Sequence, residues 1–168
     1  MSYFREIKYS AKTILIREGE VNNKLYFIAK GCLRACYRHK EKEVTLWFGM
    51  EGDLAACYRS FITMKPGHET IILIEDCTFY EIDRDDLYKL IRGYPEINHF
   101  YDNVLEDGYL FYEMRVMLIL FCNAKERYES LIKRYPLALQ RFSLGQIASY
   151  LGITIETLSR IRAGKTQG

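Results

Sequence analysis

The sequence is poor in several features whose absence narrows what it can be. It has three prolines, three histidines and one tryptophan, and no apolar run approaches the ~18–20 residues that a membrane span requires. The longest such run, around Val116–Cys122, is far shorter. The opening stretch MSYFREIKYSAK lacks the apolar segment of a signal peptide. Five cysteines, an odd number without framework spacing, speak against a secreted disulfide scaffold and for a reducing, cytoplasmic setting. His39, His68 and His99 lie far apart with no His-x-His pair, and no Gly-x-Ser-x-Gly motif occurs. A metal oxygenase needs convergent histidines with a carboxylate, and a serine hydrolase needs its nucleophile on a sharp turn. The expectation is a chain that is not an enzyme, is not membrane-bound and carries no metal or cofactor.

What is present is a substantial core. Of the 168 residues, 49% are hydrophobic and 14% aromatic, too apolar for a disordered chain. Net charge is only +2, but it is unevenly placed: residues 124–168 carry +5 and the first 123 carry −3. A basic end on a mildly acidic body suits a segment that meets phosphates, although an ordinary solvated helical surface would carry the same charges.

Up to about Ile82, short β-type runs are broken by turn residues. The expected strands are Thr13–Ile16, Leu25–Ala29, Cys32–Arg38, Val44–Gly49, Thr70–Ile74 and Cys77–Ile82, with Gly19, Gly31, Gly52 and Pro66-Gly67 between them. Many short strands at this spacing point to a barrel, sandwich or jelly roll. Asp83 then caps a short helix through about Arg92, with Asp85 and Asp86 in its first turn, and Gly93 ends it.

Pro95 suits the first turn of a long helix to about Cys122. Phe100, Val104, Asp107, Phe111, Met114, Leu118 and Phe121 recur at alternating steps of four and three, the spacing of a coiled-coil seam. A second apolar set, Leu105, Leu110, Tyr112, Met117 and Leu120, lies off that seam. Two apolar faces on one long helix favour a homodimer over a helix lying on its own domain. Asn123 with Glu126 has the form of a capping box opening a further helix to about Arg134, and a linker is expected at 135–140, around Pro136.

The most informative segment is SLGQIASYLGITIETLSRIR, from Ser143 to Arg162. Ser143 with Gln146 is a second capping box, Leu144, Ile147, Ala148 and Leu151 form an apolar stripe, and Gly152 can end the helix in a left-handed conformation. Thr154 can cap the next helix, held by Ile153, Thr157, Leu158 and Ile161. Two short helices joined by a tight Gly-containing turn make a helix-turn-helix, whose second helix enters the DNA major groove with its N-terminal residues toward base edges. Thr154, Ile155, Glu156, Thr157, Ser159 and Arg160 are the candidate reading residues, while Arg162 and Lys165 suit phosphates. A glutamate can accept from cytosine N4, and an arginine can fork onto guanine.

The chain resembles the cyclic-AMP receptor/fumarate–nitrate regulator family of bacterial transcription factors. The resemblance rests on ILIREGE at Ile14–Glu20, LYFIAKGCLR at Leu25–Arg34, VTLWFGMEGDL at Val44–Leu54 and ETLSRI at Glu156–Ile161. It implies an α+β fold: an antiparallel β-roll (a double-stranded β-helix or jelly roll) over residues 1–94, a dimerisation helix over 95–122, and an all-α helix-turn-helix unit over 123–168 without the usual wing. It also implies a homodimer on double-stranded DNA, a small effector in the β-roll, and RNA polymerase as a further candidate partner. The expected dimer residues are Phe100, Val104, Phe111, Met114, Leu118 and Phe121. The expected effector pocket is Gly52, Ala56, Cys57, Tyr58, His68, Glu69, Thr70 and Tyr112.

Departures from that family pattern bear on the effector. Cyclic-nucleotide binders of the family place a Gly-Glu pair after the Gly-Asp turn and an Arg beside a Ser or Thr. Here Ala56-Cys57 stands at the first place and Gly67-His68-Glu69, with an acid rather than a cation, near the second, and no arginine lies between Phe61 and Asp83. A buried phosphate without a cation is costly, so the effector is expected not to be cyclic AMP. The family's oxygen-sensing branch holds an iron–sulfur cluster on cysteines clustered at the N-terminus, and none precedes Cys32 here; Cys32 and Cys36 on one strand would lie about 13 Å apart, too far for a disulfide. The competing reading is a cyclic-nucleotide-binding-like module acting through protein partners rather than DNA.

Overall fold

Alternation builds the first half of the chain. In Cys77–Asp83, Cys77 and Phe79 are enclosed while Tyr80 is 40% exposed, as successive side chains of a strand point to opposite faces. Glu81 shares the inner side and is also buried, with its charge met by Lys24 at 2.9 Å and Arg5 at 3.1 Å. The computed structural model of the protein describes residues 3–40 and 42–164, and the chain divides into two units, Met1–Gly93 and Tyr94–Gly168.

Among the described residues the first unit holds eight strands: β1 (Arg5–Tyr9), β2 (Ile14–Ile16), β3 (Lys24–Lys30), β4 (Leu33–His39), β5 (Lys42–Gly49), β6 (Leu54–Ala55), β7 (Thr70–Leu73) and β8 (Cys77–Asp83). They form two four-stranded antiparallel sheets, ordered β1-β8-β3-β6 and β2-β7-β4-β5. One apolar interior is shared by both, with Ile28 and Phe79 from the first and Leu33, Ala35 and Ile71 from the second. Two helices complete the unit, α1 (Tyr58–Thr63) and α2 (Arg84–Gly93). This is the antiparallel α+β arrangement expected, with two strands that sequence did not reveal. β1 reads Arg-Glu-Ile-Lys-Tyr and lacks the apolar weight of a strand; its pairing with β8, from Arg5↔Glu81 to Tyr9↔Cys77, makes it one.

The second unit is helical: α3 (Pro95–Phe121), α4 (Ala124–Arg134), α5 (Ala138–Arg141), α6 (Leu144–Leu151) and α7 (Ile155–Arg162). Pro95 opens α3, and the Asn123/Glu126 capping box opens α4 with both reciprocal bonds made. The stretch expected as a linker instead packs: it contains α5, and Tyr135, Ala138 and Phe142 are buried around it. Pro136 ends α4 but leaves the following residues room to turn back as a short helix.

Candidate functional site

The end of the second unit is built from two short helices. The Ser143 hydroxyl accepts from the Gln146 amide at 3.2 Å, and the Gln146 side chain accepts from the Ser143 amide at 2.9 Å, closing the N-terminus of α6. α6 buries Ile147, Ala148, Tyr150 and Leu151. Gly152 follows with φ of +67°, which lets the Ile153 amide reach back to the Ala148 carbonyl at 3.1 Å. Thr154 caps α7 by accepting from the Thr157 amide at 3.2 Å. Leu158 and Ile161 fix α7 from below, being 0% and 7% exposed.

The opposite face of α7 is open. Thr154, Ile155, Glu156, Ser159, Arg160 and Arg162 are exposed, and Thr157 is half-buried with its hydroxyl 3.2 Å from that of Thr154. Thr157 thus closes the cap at the N-terminus of α7. Glu156 is held below the ordinary carboxylate range by hydrogen bonds from its own backbone and from Thr154, helped by Arg160. It therefore stays an acceptor across the neutral range. Lys165 lies outside the described residues.

In the first unit, the residues expected to line an effector pocket are partly assembled. Gly52, at φ +91°, turns the chain between β5 and β6, and its amide donates to the Ile28 carbonyl at 2.9 Å. Ala56 and Cys57 are buried just before α1, and Tyr58 begins that helix with its hydroxyl pKa pushed up to about 12 by burial. His68 is exposed, whereas Glu69 and Thr70 are half-buried at the start of β7. Tyr112, on α3 of the second unit, is 49% exposed.

Trp47, which sequence reasoning did not place in this group, joins it from β5. Its indole N–H donates to Glu69 Oε2 at 3.0 Å, and the Cys57 thiol donates to the same carboxylate. Burial pushes the Glu69 carboxyl up, and these two bonds only partly offset it. No cation pairs with Glu69 among the described residues. A phosphate brought here would meet a carboxylate and neutral donors. A buried arginine does exist nearby in sequence, Arg34, ion-paired with Glu43 and 3.4 Å from Thr45 Oγ1. It occupies the face of β4 opposite Leu33 and Ala35, the residues that enter the shared interior. Alternation in Leu33-Arg34-Ala35 signals that direction; its burial is not readable from sequence.

On α3 the expected seam divides. Phe100 and Phe121 are 58% and 73% exposed, but Val104, Phe111, Met114 and Leu118 are half-buried within the chain, Phe111 with the Arg134 guanidinium 5.0 Å from its ring centre. A second line with the same four-three spacing, Leu105, Tyr109, Tyr112, Val116 and Ile119, is exposed throughout. No disulfide joins the five cysteines among the described residues. Among the described residues no group of His, Cys, Asp or Glu could hold a metal ion, and no helix is long and apolar enough to cross a membrane.

The first unit is a two-sheeted antiparallel roll with a short helix after its Gly-Asp turn. The family model of the cyclic nucleotide-binding domain matches residues 6–94, and the chain belongs to that family. Patatin-like phospholipase domain-containing protein 6 of Homo sapiens is 32% identical over 88 residues, which is 52% of this chain and 6% of that protein. The chain thus spans only a small part of the curated relatives it matches. Among solved structures, FixK2 from Bradyrhizobium japonicum is similar with a TM-score of 0.81 at 20% identity, over 96% of this chain and 83% of that one. A CooA mutant from Carboxydothermus hydrogenoformans is similar with a TM-score of 0.77 at 22% identity, over 96% and 76% of the two chains. At this identity the likeness shows the fold.

Proposed function

We propose that the chain is a homodimeric, cytoplasmic, DNA-binding transcriptional regulator of the cyclic-AMP receptor/fumarate–nitrate regulator family, without catalytic activity of its own. The observation that carries this reading is α7: a helix backed by buried Leu158 and Ile161 that turns Thr154, Ile155, Glu156, Ser159 and Arg160 outward together. With α6 and the Gly152 turn it makes a helix-turn-helix. Arg160 suits guanine O6/N7, Glu156 suits cytosine N4, and exposed Ile155 suits a thymine methyl group. Arg162 and Lys165 supply phosphate contacts. A module acting only through protein partners would leave this polar face without a task.

The dimer forms through α3, two recognition helices then reading half-sites about one DNA turn apart. RNA polymerase is a candidate partner of the DNA-bound dimer. The β-roll senses an effector other than cyclic AMP: Cys57 and Glu69 stand where an acceptor for ribose and a cation for phosphate would be needed. Binding to bulk duplex DNA at two salt concentrations tests the reading. Affinity should fall steeply as salt rises, because phosphate contacts release counterions; salt-independent or absent binding contradicts it. Cyclic AMP at millimolar concentration should leave the melting temperature unchanged, and a clear rise contradicts the effector assignment.

A further inference from the structure

α3 is 27 residues long, yet only two of its side chains are buried, Tyr101 and Arg115. A buried arginine on a helix that leaves Tyr109, Val116 and Ile119 exposed needs a physical reason. Its contacts are with α6. Arg115 Nη2 donates to the Tyr150 carbonyl at 2.9 Å, and its guanidinium carbon lies 3.7 Å from the centre of the Tyr150 ring. No carboxylate pairs with it among the described residues. Tyr150 and Leu151 are the last two residues of α6, where carbonyls lack intrahelical donors and the helix dipole is negative.

A second arginine takes the neighbouring carbonyl. Arg127 Nε donates to Leu151 at 3.0 Å, and its Nη1 donates to the Cys122 carbonyl at the end of α3, at 2.8 Å. Tyr150 also meets Tyr135 edge-on at 6.3 Å, and Arg134 lies 5.6 Å from the Tyr135 ring centre and 5.0 Å from that of Phe111 on α3. α3 therefore grips the polar end of α6 immediately before the Gly152 turn into α7. Apolar contacts tolerate sliding, whereas a guanidinium flat on a ring and bonded to a carbonyl has direction.

We infer that Arg115 is a positioning residue that sets the recognition helix by tying α3 to the C-terminal carbonyls of α6. A shift or rotation of α3 then re-aims the face of α7 instead of being absorbed between the helices. This rests on the DNA-reading role of α7 proposed above.

The test uses the full chain, a duplex selected by the wild-type protein from a random library, and a scrambled duplex of the same composition. Anisotropy titrations at two salt concentrations give selectivity and salt slope; sedimentation and far-ultraviolet circular dichroism report dimer and fold. Arg115→Ala should lose about tenfold in the ratio of selected to scrambled affinity, with dimer and salt slope unchanged. Arg115→Lys keeps the charge and stem but not the plane; it should fall between, and it provides the same comparison where the alanine variant does not fold. Wild-type selectivity in a folded variant, or an equal loss on both duplexes, overturns the inference and leaves the DNA reading standing. A wild-type protein that selects no preferred sequence overturns both.

Discussion

In Met1–Gly93, strand ladders close around a shared apolar interior in which Ile28, Leu33, Ala35, Ile71, Leu73 and Phe79 are all 0% exposed. In Tyr94–Gly168, the enclosed set is smaller and the joints are polar: two complete capping boxes and arginines on helix-end carbonyls. The same unit leaves Tyr109, Leu120 and Phe121 at 71%, 66% and 73% exposure on α3. The roll has its core within one chain. The helical unit leaves a run of apolar side chains on α3 uncovered, and contiguous apolar patches of that kind mark association sites. The contrast puts the larger enclosed core in the first unit and the uncovered apolar surface in the second.

The sharpest way to break this comparison is to unfold one unit without the other. Leu158→Ala should cost the helical unit about 2–5 kcal/mol by opening a cavity under α7. Far-ultraviolet circular dichroism should show an earlier helical transition while the emission of Trp47, the sole tryptophan, keeps its midpoint. Coincident shifts of both probes would mean that the units stand or fall together.

The next effect concerns the exposed line on α3. Val116→Glu should weaken dimerisation by at least about tenfold, a charge being costly in an apolar contact. Phe111→Asp, from the half-buried line, should split the dimer if the seam runs there; sedimentation of the two variants side by side decides which line carries it. On the exposed face of α7, proposed to read DNA, Arg160→Ala should lower discrimination between the selected and mismatched sites by about 1–3 kcal/mol. Equal losses on all sequences would reduce Arg160 to a phosphate contact.

The smallest expected effect lies in the roll. Glu69 has its folded pKa raised by burial, so its stabilising contribution is complete below its unfolded value, about 4.3, and is lost as pH rises through the folded one. Glu69→Gln should therefore melt higher than wild type on the alkaline side and alike on the acid side. Trp47 emission should show an inflection above the ordinary carboxylate range that the glutamine variant lacks. An inflection that persists in Glu69→Gln would assign the titration to another group.

The helical end was the most legible part of the chain. Ser143, Gln146, Gly152 and Thr154 act through bonds to residues two to four positions away, so their roles are written locally. The strand positions were legible through alternation and turn residues, except the two-residue β6 and β1, whose charged residues become a strand only beside β8. The site was less so. Cys57 and Glu69 were marked as departures from a binding pattern, but Trp47, 22 residues from Glu69, is brought near by β5 and β7 pairing on either side of β4 in one sheet.

By itself the sequence determined what depends on neighbours along the chain: the caps, the left-handed turn at Gly152, the division into strands and then helices, and the charge of the end. Tertiary structure alone decided which of two equally spaced apolar lines on α3 is covered, that Arg34 is buried, and that Arg115 reaches the end of α6 across 35 residues. Periodicity fixes which residues share a face, but only the packing of distant segments decides which face is used.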